Sequence, residues 1–375
     1  MSRDRSKEIK RHSVISAARR ARVLSRAELT ELTGLSPATL TPLVRDLIAE
    51  GYLIERGRRA SGSGRPRTLL EFNAGAELVA AVSLEPSRIN CEIADSDGKV
   101  IAHRKARLRG DVVATVCRFV PELVGDALPK LRGVAIAVPG VYSGGAVRLA
   151  PSVGLLDGEP LGASVQAALG VPVVVDNDVN LMAAGEHAAG AGRGVSDLLL
   201  LHVADGIGAG LVLDGKVRRG ASGAAGEVGF MPLEPDAKGR DGVGPLEARW
   251  SARAIAERVV ALRPGRRPAT PVRTLIELSK FERAAAAYLN EVLVAWARLI
   301  TSIVCVIDPG LVVLSGAAAD LDDPALQTLE SLVSQAAPTA VEVRRAVLGD
   351  GAVLHGAVSY ALAAAAAPAT AITGI

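Results

Sequence analysis

The chain has 375 residues, 49% of them hydrophobic, which is enough to bury more than one core. Its formal net charge of +3 is unevenly spread: residues 1–70 hold 15 Lys+Arg against 7 Asp+Glu, a net of +8, so the remainder carries −5. A basic N-terminal segment on an acidic body is the charge footprint of a nucleic-acid reader. No apolar run approaches the roughly 20 uncharged residues of a membrane span, and the polar start MSRDRSKEIKRHS has no signal core. Three widely spaced cysteines (Cys91, Cys117, Cys305) fit thiols in a reducing cytoplasm, not a disulfide framework or a zinc knuckle.

In chain order, residues 6–20 place Ile9, Val14, Ile15, Ala17 and Ala18 at helical spacing. Ser25-Arg26-Ala27-Glu28 is a capping box that starts a short helix over 26–33, and Gly34 ends it. Ser36-Pro37 caps a third helix to Glu50, with Leu40, Leu43, Val44 and Leu47 on one face. Strands follow at 52–56 and 68–72, around the basic tip GRRASGSGRPR. This is the layout of a winged helix-turn-helix, whose last helix enters the major groove. A small helical packing domain with a solvated loop would share the pattern. On the DNA reading, Ser36, Thr39, Thr41 and Arg45 face bases, while Arg58, Arg59, Arg65 and Arg67 meet phosphates or the minor groove. Pro42 inside the third helix predicts a kink or an axis shift.

In the body, residues 78–83, 89–94 and 100–103 read as strands, and 131–140 is a buried strand ending in Pro139-Gly140. The strand at 171–175 delivers Asp176-Asn177-Asp178-Val179-Asn180, where a crevice of an open α/β sheet would lie. Asn177 and Asp178 suit a polyol; either could instead cap the helix that follows. Residues 205–230, DGIGAGLVLDGKVRRGASGAAGEVGF, combine alternating glycines with an Asp214-Gly215 hairpin turn. Glycines so dense mark close backbone approach. Helices are expected over 251–262 and 281–307, with an exposed Pro/Arg loop at 263–271. Ile307-Asp308-Pro309, a strand at 311–314, Ser315-Gly316 and a closing Ala-rich helix complete the chain.

The 205–230 stretch, ending in Ala225-Gly226-Glu227-Val228-Gly229-Phe230, resembles the signature of the ROK family (repressors, open reading frames and sugar kinases). The Asp176-Asn177-Asp178-Val179-Asn180 motif, the Gly62–Pro66 wing and the Asp308-Pro309 element resemble that family too. The resemblance implies an α/β fold: a two-lobed, actin-like, ribonuclease-H-like body behind a winged helix-turn-helix. The expected divisions are 1–72 for DNA binding, 76–180 with 348–375 for lobe I, and 181–347 for lobe II. It implies a sugar site at Gly140, Asn177, Asp178, Glu227 and Glu247, with Phe230 where the family has a histidine. The family's zinc histidine and cysteines are missing, Phe230 standing for the first and residues 237–246 lacking the rest, so no metal is expected. Where family kinases carry an Asp-x-Gly-Gly-Thr phosphate loop, this chain has Ser83-Leu84-Glu85-Pro86-Ser87, and Asp205 stands at the second loop. These departures oppose ATP, so neither cofactor nor enzyme activity is expected. The expectation is a cytoplasmic regulator of the xylose- or N-acetylglucosamine-repressor type. Its partners would be a palindromic DNA operator, a sugar-like effector and further copies of itself, as homodimer or homotetramer. A sugar kinase with a DNA-binding arm, and a ligand-independent DNA-binding protein, are the alternatives.

Overall fold

Ser25 and Glu28 form the reciprocal capping box: the Ser25 hydroxyl accepts from the Glu28 N–H, and the Glu28 carboxylate accepts from the Ser25 N–H at 2.6 Å. That cap opens the second helix of the N-terminal module in the computed structural model. The structure describes residues 2–61, 64–148, 150, 153–155, 157–233, 239 and 243–366; the side chains of residues 2–5 and 58–67 lie outside that description. The module consists of α1 (Ser2–Ala21), β1 (Val23–Ser25), α2 (Arg26–Thr33), α3 (Pro37–Ala49), β2 (Leu53–Ser61) and β3 (Gly64–Phe72). Gly34 ends α2 in the left-handed conformation, at φ 67°. The wing strands run further into the basic tip than the sequence suggests, and β1 adds a third strand in the order β1-β3-β2. Leu29, Val44, Leu47 and Leu70, all fully buried, centre this module's core.

The chain divides into two compact units, and the first joins Met1–Val79 with Ile93–Ala102 and Val124–Arg132. Within it the Glu77 carboxylate pairs with Arg19 of α1 and lies 3.9 Å from Arg132, while Arg22 pairs with Asp97. The Arg132 guanidinium donates to the Tyr52 hydroxyl at 3.2 Å.

Beyond the N-terminal module the chain forms two five-stranded sheets. One takes β4 (Leu78–Glu85), β5 (Arg88–Asp95), β6 (Val100–Arg107), β7 (Leu131–Val138) and β10 (Val173–Asn177), in the order β10-β7-β4-β5-β6. Helices α4 (Val112–Val124) and α5 (Leu161–Leu169) and the small hairpin β8 (Val141–Ser143) and β9 (Ala146–Arg148) interrupt it in sequence. The other takes β11 (Leu198–Val203), β12 (Ile207–Leu213), β13 (Lys216–Val217), β14 (Leu311–Gly316) and β15 (Glu342–Arg345), in the order β13-β12-β11-β14-β15. Helix α6 (Asp178–Ala189) follows β10 directly; α7 (Glu247–Trp250), α8 (Ala252–Leu262), α9 (Pro271–Ser279), α10 (Arg283–Ile307) and α11 (Asp323–Ala336) belong to the second sheet's half, and α12 (Ala352–Ala366) returns to pack on α6. The sequence reading did not foresee α9.

Asp214 and Gly215 turn β12 into β13 with φ of 52° and 72°, two positive values in succession, as a tight hairpin requires. The alternating glycines of β12 do mark a close approach: a Cβ on Gly210 would meet the Ala183 Cβ of α6 at 2.5 Å. By length and a mean hydropathy of 1.7, α10 could cross a membrane. Its apolar face instead forms the core, with Trp296, Leu299 and Ile300 fully buried. The Trp296 indole N–H donates to the Trp250 carbonyl at 3.1 Å, so the ring's one polar atom is satisfied.

Replacing Trp296 with Ala leaves a cavity and frees that carbonyl; urea unfolding is expected to register a loss of about 3–5 kcal/mol.

Candidate effector cleft and nucleic-acid interface

In α3, Leu40, Leu43, Val44 and Leu47 face inward, and Ala38, Thr41, Pro42, Arg45 and Ala49 form an exposed stripe. The Ser36 hydroxyl accepts from the Thr39 N–H and lies 3.0 Å from the Thr39 hydroxyl, so both serve the helix start. The Thr41 hydroxyl donates to the Pro37 carbonyl at 2.8 Å. Arg45 is the long donor on the stripe, its side chain 78% exposed and 3.4 Å from Asp46. Pro42 does not end the helix, which continues to Ala49. The carbonyl it deprives of a donor belongs to exposed Ala38, where water can take over. Arg58, Arg59, Arg65 and Arg67 lie outside the described side chains, although their backbones belong to β2 and β3.

The second constellation gathers where β7 and β10 end and α6 begins. β7 and β10 run parallel, with Val138 opposite Asn177. Asn177 is the N-cap of α6: its Oδ1 accepts from the Val179 and Asn180 N–H groups at 2.8 and 3.1 Å. Its Nδ2 donates to the Gly140 carbonyl at 3.0 Å, which leaves one amide hydrogen over. Asp178, half-buried in the first turn, accepts from the Val179 N–H at 2.9 Å. Removal from water, with the nearby charges of Glu227 and Glu85, pushes its carboxyl up to about 7 despite that hydrogen bond. Glu227 is also raised, by burial first and then by Glu247. Glu247 is tied inward: its carboxylate accepts from the N–H groups of Ile207 at 3.3 Å and Gly244 at 3.2 Å. Phe230 ends a 3-10 turn and stays 46% exposed. Gly140, Asn177, Asp178, Glu227 and Glu247 are thus brought together, with Asn177 and Glu247 engaged mainly by the protein itself.

Asp176, expected only as the motif's leading acid, is 4% exposed and fully bonded. Its Oδ1 accepts from the Asn177 N–H (2.8 Å) and Asn180 Nδ2 (3.0 Å), and its Oδ2 from Arg219. Arg219, Glu186 and His202 escaped the sequence reading. Buried Glu186 in α6 accepts from the N–H groups of Ala191, Val347 and Leu348. His202 lies 3.1 Å from the Ser315 hydroxyl, and burial holds its ring down to about 4, hence neutral.

Of the phosphate-loop residues, Ser83 is buried, Glu85 is half-buried, and Pro86-Ser87 form a two-residue turn with Ser87 at φ 67°. Asp205 is 84% exposed and 3.3 Å from Arg267. Among the described residues no group of three or more His, Cys, Asp and Glu could hold a metal ion. Two cavities, about 220 and 390 Å³, lie elsewhere: the first is lined by Trp250 and Arg298 among others, the second by Asp111 and Asp157.

A winged helix-turn-helix joined to an actin-like, ribonuclease-H-like α/β body defines the class. The chain belongs to the ROK family, whose pattern matches residues 79–364. It is 32% identical over 261 residues to the xylose repressor of Caldicellulosiruptor bescii, covering 66% of this chain and 65% of that one. It is 27% identical over 220 residues to the xylose repressor of Bacillus subtilis, covering 56% and 57%. The chain thus spans less than two-thirds of these curated relatives. Among solved structures, a ROK family transcriptional regulator described as a homolog of E. coli Mlc superposes with a TM-score of 0.74 at 22% identity, over 96% of this chain and 97% of that one. The ROK hexokinase of Thermus thermophilus superposes at 0.65 with 26% identity, over 76% and 97%.

The raised Asp178 carboxyl fixes a pH dependence. An acid whose pKa lies higher in the folded than in the unfolded state holds extra protons when folded, so stability falls as pH rises from about 4 to about 7. Asp178→Asn removes the penalty: it is expected to melt above the parent at pH 8, with the gap narrowing below about pH 7 and closing near about pH 4, in a thermal-shift series.

Proposed function

We propose that this chain is a cytoplasmic DNA-binding transcriptional regulator of repressor type, whose operator affinity responds to a sugar or sugar-like effector held near Asn177, Asp178 and Glu227. The observation that carries this reading is the pairing, in one chain, of an exposed α3 face bearing Arg45 with a family cleft that keeps Asn177, Asp178 and Glu227. Repressor names among the relatives support it. Ser36, Thr39, Thr41 and Arg45 would meet the major groove, and Arg58, Arg59, Arg65 and Arg67 the phosphates or minor groove. Residues 1–72 would serve as the DNA-binding domain, with lobe I over 76–180 and 348–375 and lobe II over 181–347. Two or four copies would engage a palindromic operator. An effector can shift DNA affinity only through its different affinity for two conformations. Gly140, Glu247 and Phe230 would shape the cleft around it.

Kinship to a hexokinase favours a second reading, a sugar kinase with a DNA-binding arm. Ser83, Glu85, Pro86 and Asp205 oppose it. Serine cannot serve a metal as aspartate does, two carboxylates would face the phosphates, and proline lacks an amide to donate. On the repressor reading no cofactor is used, and a coupled ADP-release assay over a sugar panel returns no turnover.

Full-length protein is expected to melt higher with one of D-xylose, D-glucose or N-acetyl-D-glucosamine, since a ligand that binds only the folded state stabilises it by mass action. Asp178→Ala is expected to lose that response; no shift with any sugar, or an undiminished one in the variant, contradicts the effector site. Arg45→Ala is expected to weaken binding to a selected operator about tenfold or more and to relax its base preference, read by fluorescence anisotropy. Arg65→Ala with Arg67→Ala is expected to weaken binding on all sequences and to flatten the salt slope.

A further inference from the structure

We propose that Arg219 is a positioning residue for the cleft: it pins the glycine-rich turn 218–226 to the end of β10 and to α12, and so sets Glu227 against Asn177 and Asp178. The proposal rests on the effector reading above and names a residue on which that site's assembly depends.

Arg219 grips Asp176 with two nitrogens, Nε at 2.8 Å and Nη2 at 2.7 Å, both on Oδ2. The other carboxylate oxygen is taken by the Asn177 N–H and by Asn180 Nδ2. One buried acid thus holds the residue next to it, the N-cap Asn177, and the arginine of a turn 43 positions away in sequence. The Arg219 guanidinium also lies over the Tyr360 ring of α12, 5.3 Å from its centroid. The turn is closed on itself and on its strand: the Ala225 N–H donates to the Arg219 carbonyl at 3.0 Å, and the Arg218 N–H donates to the Leu211 carbonyl at 2.7 Å. It also lies against β8, because a Cβ on Gly223 would sit 2.5 Å from the Tyr142 carbonyl oxygen. Glu227 follows immediately, so the arginine helps to place the backbone that carries that carboxylate, together with the Ala209 N–H, which donates to the Gly226 carbonyl at 2.8 Å.

On this account Arg219 holds the turn and does not itself bind the effector: its Nε and Nη2 are engaged with Asp176 and its face with Tyr360. Nor is general stabilisation the better explanation. A buried ion pair loses much of its Coulombic gain to desolvation, and an apolar pair in place of both partners is often as stable, while the ion pair imposes one geometry.

Hydrogen exchange followed by mass spectrometry on the full-length parent and Arg219→Met tests this. Peptides covering 218–227 are expected to exchange about tenfold faster in the variant, with α10 peptides unchanged, because only the local opening is eased. Arg219→Lys, which keeps the charge but not the two-nitrogen grip, falls between them. Sugar affinity, read by thermal shift with D-xylose and D-glucose, is expected to drop about tenfold in Arg219→Met; its sugar-free melting point falls as well, because Asp176 is left as a buried carboxylate without its cation. Unchanged exchange over 218–227, or acceleration spread evenly into α10, overturns the proposal. Should Arg219→Met not fold, Tyr360→Leu removes the stacking face and is judged by the same peptides. If the parent responds to no sugar, the effector reading falls, and the exchange data alone still decide whether Arg219 holds the turn.

Discussion

The contact on which the rest depends is the backbone-to-backbone approach of α6 with α12. A Cβ on Gly356 of α12 would lie 1.9 Å from the Leu181 carbonyl oxygen, and one on Gly185 of α6 would lie 2.2 Å from the Ala352 carbonyl oxygen. No side chain fits at either position, so the two helices touch along their main chains. α6 also meets β12 on its other side, at Gly210. Its first residue is Asp178, its N-cap is Asn177, and its buried Glu186 anchors the Val347-Leu348 backbone. The helix that begins at Asp178, with Asn177 as its cap, is therefore fixed along its length, and both residues are presented by a rigid element.

The electrostatics of the cleft follow from that placement. Asp178, Glu227 and Glu247 stand close enough that charge on one disfavours charge on another, and burial adds to the effect. The protein relieves part of the strain by turning Glu247 onto two backbone amides. Asp176 is relieved more completely, by four hydrogen bonds including the grip of Arg219. The carboxylates left to act are Asp178, which is part-protonated near neutral pH, and Glu227. A neutral hydroxylated ligand can accept from and donate to such a pair, while a phosphate would meet charge of its own sign.

Local signals in the sequence carried most of the fold. Ser25 with Glu28, Gly34, Ser36-Pro37 and Asp214-Gly215 each specify a cap or turn within a few residues, and each took the form its chemistry prescribes. The alternating glycines of β12 showed that something passes close, but only the structure reveals it to be α6. β1, three residues long, is too short for a periodic pattern; α9 does carry one, Val272, Leu275 and Ile276 at helical spacing behind Pro271, but it lies next to the Pro/Arg-rich loop and went unread. Asn177 was legible as either cap or ligand, and the geometry makes it the cap with one hydrogen to spare. Asp176–Arg219 and His202–Ser315 were invisible, because their partners lie 43 and 113 positions apart and no local pattern links them.

The central claim is that acidic residues carried by α6 and the glycine-rich turn sense a sugar and the winged helix-turn-helix reports it. Operator affinity of the full-length protein, measured by fluorescence anisotropy on a selected DNA with and without the sugar that raises its melting point, tests this most directly. The account predicts a change of about fivefold or more, in the range of ordinary allosteric coupling. Saturation with sugar that leaves DNA affinity unchanged would contradict it.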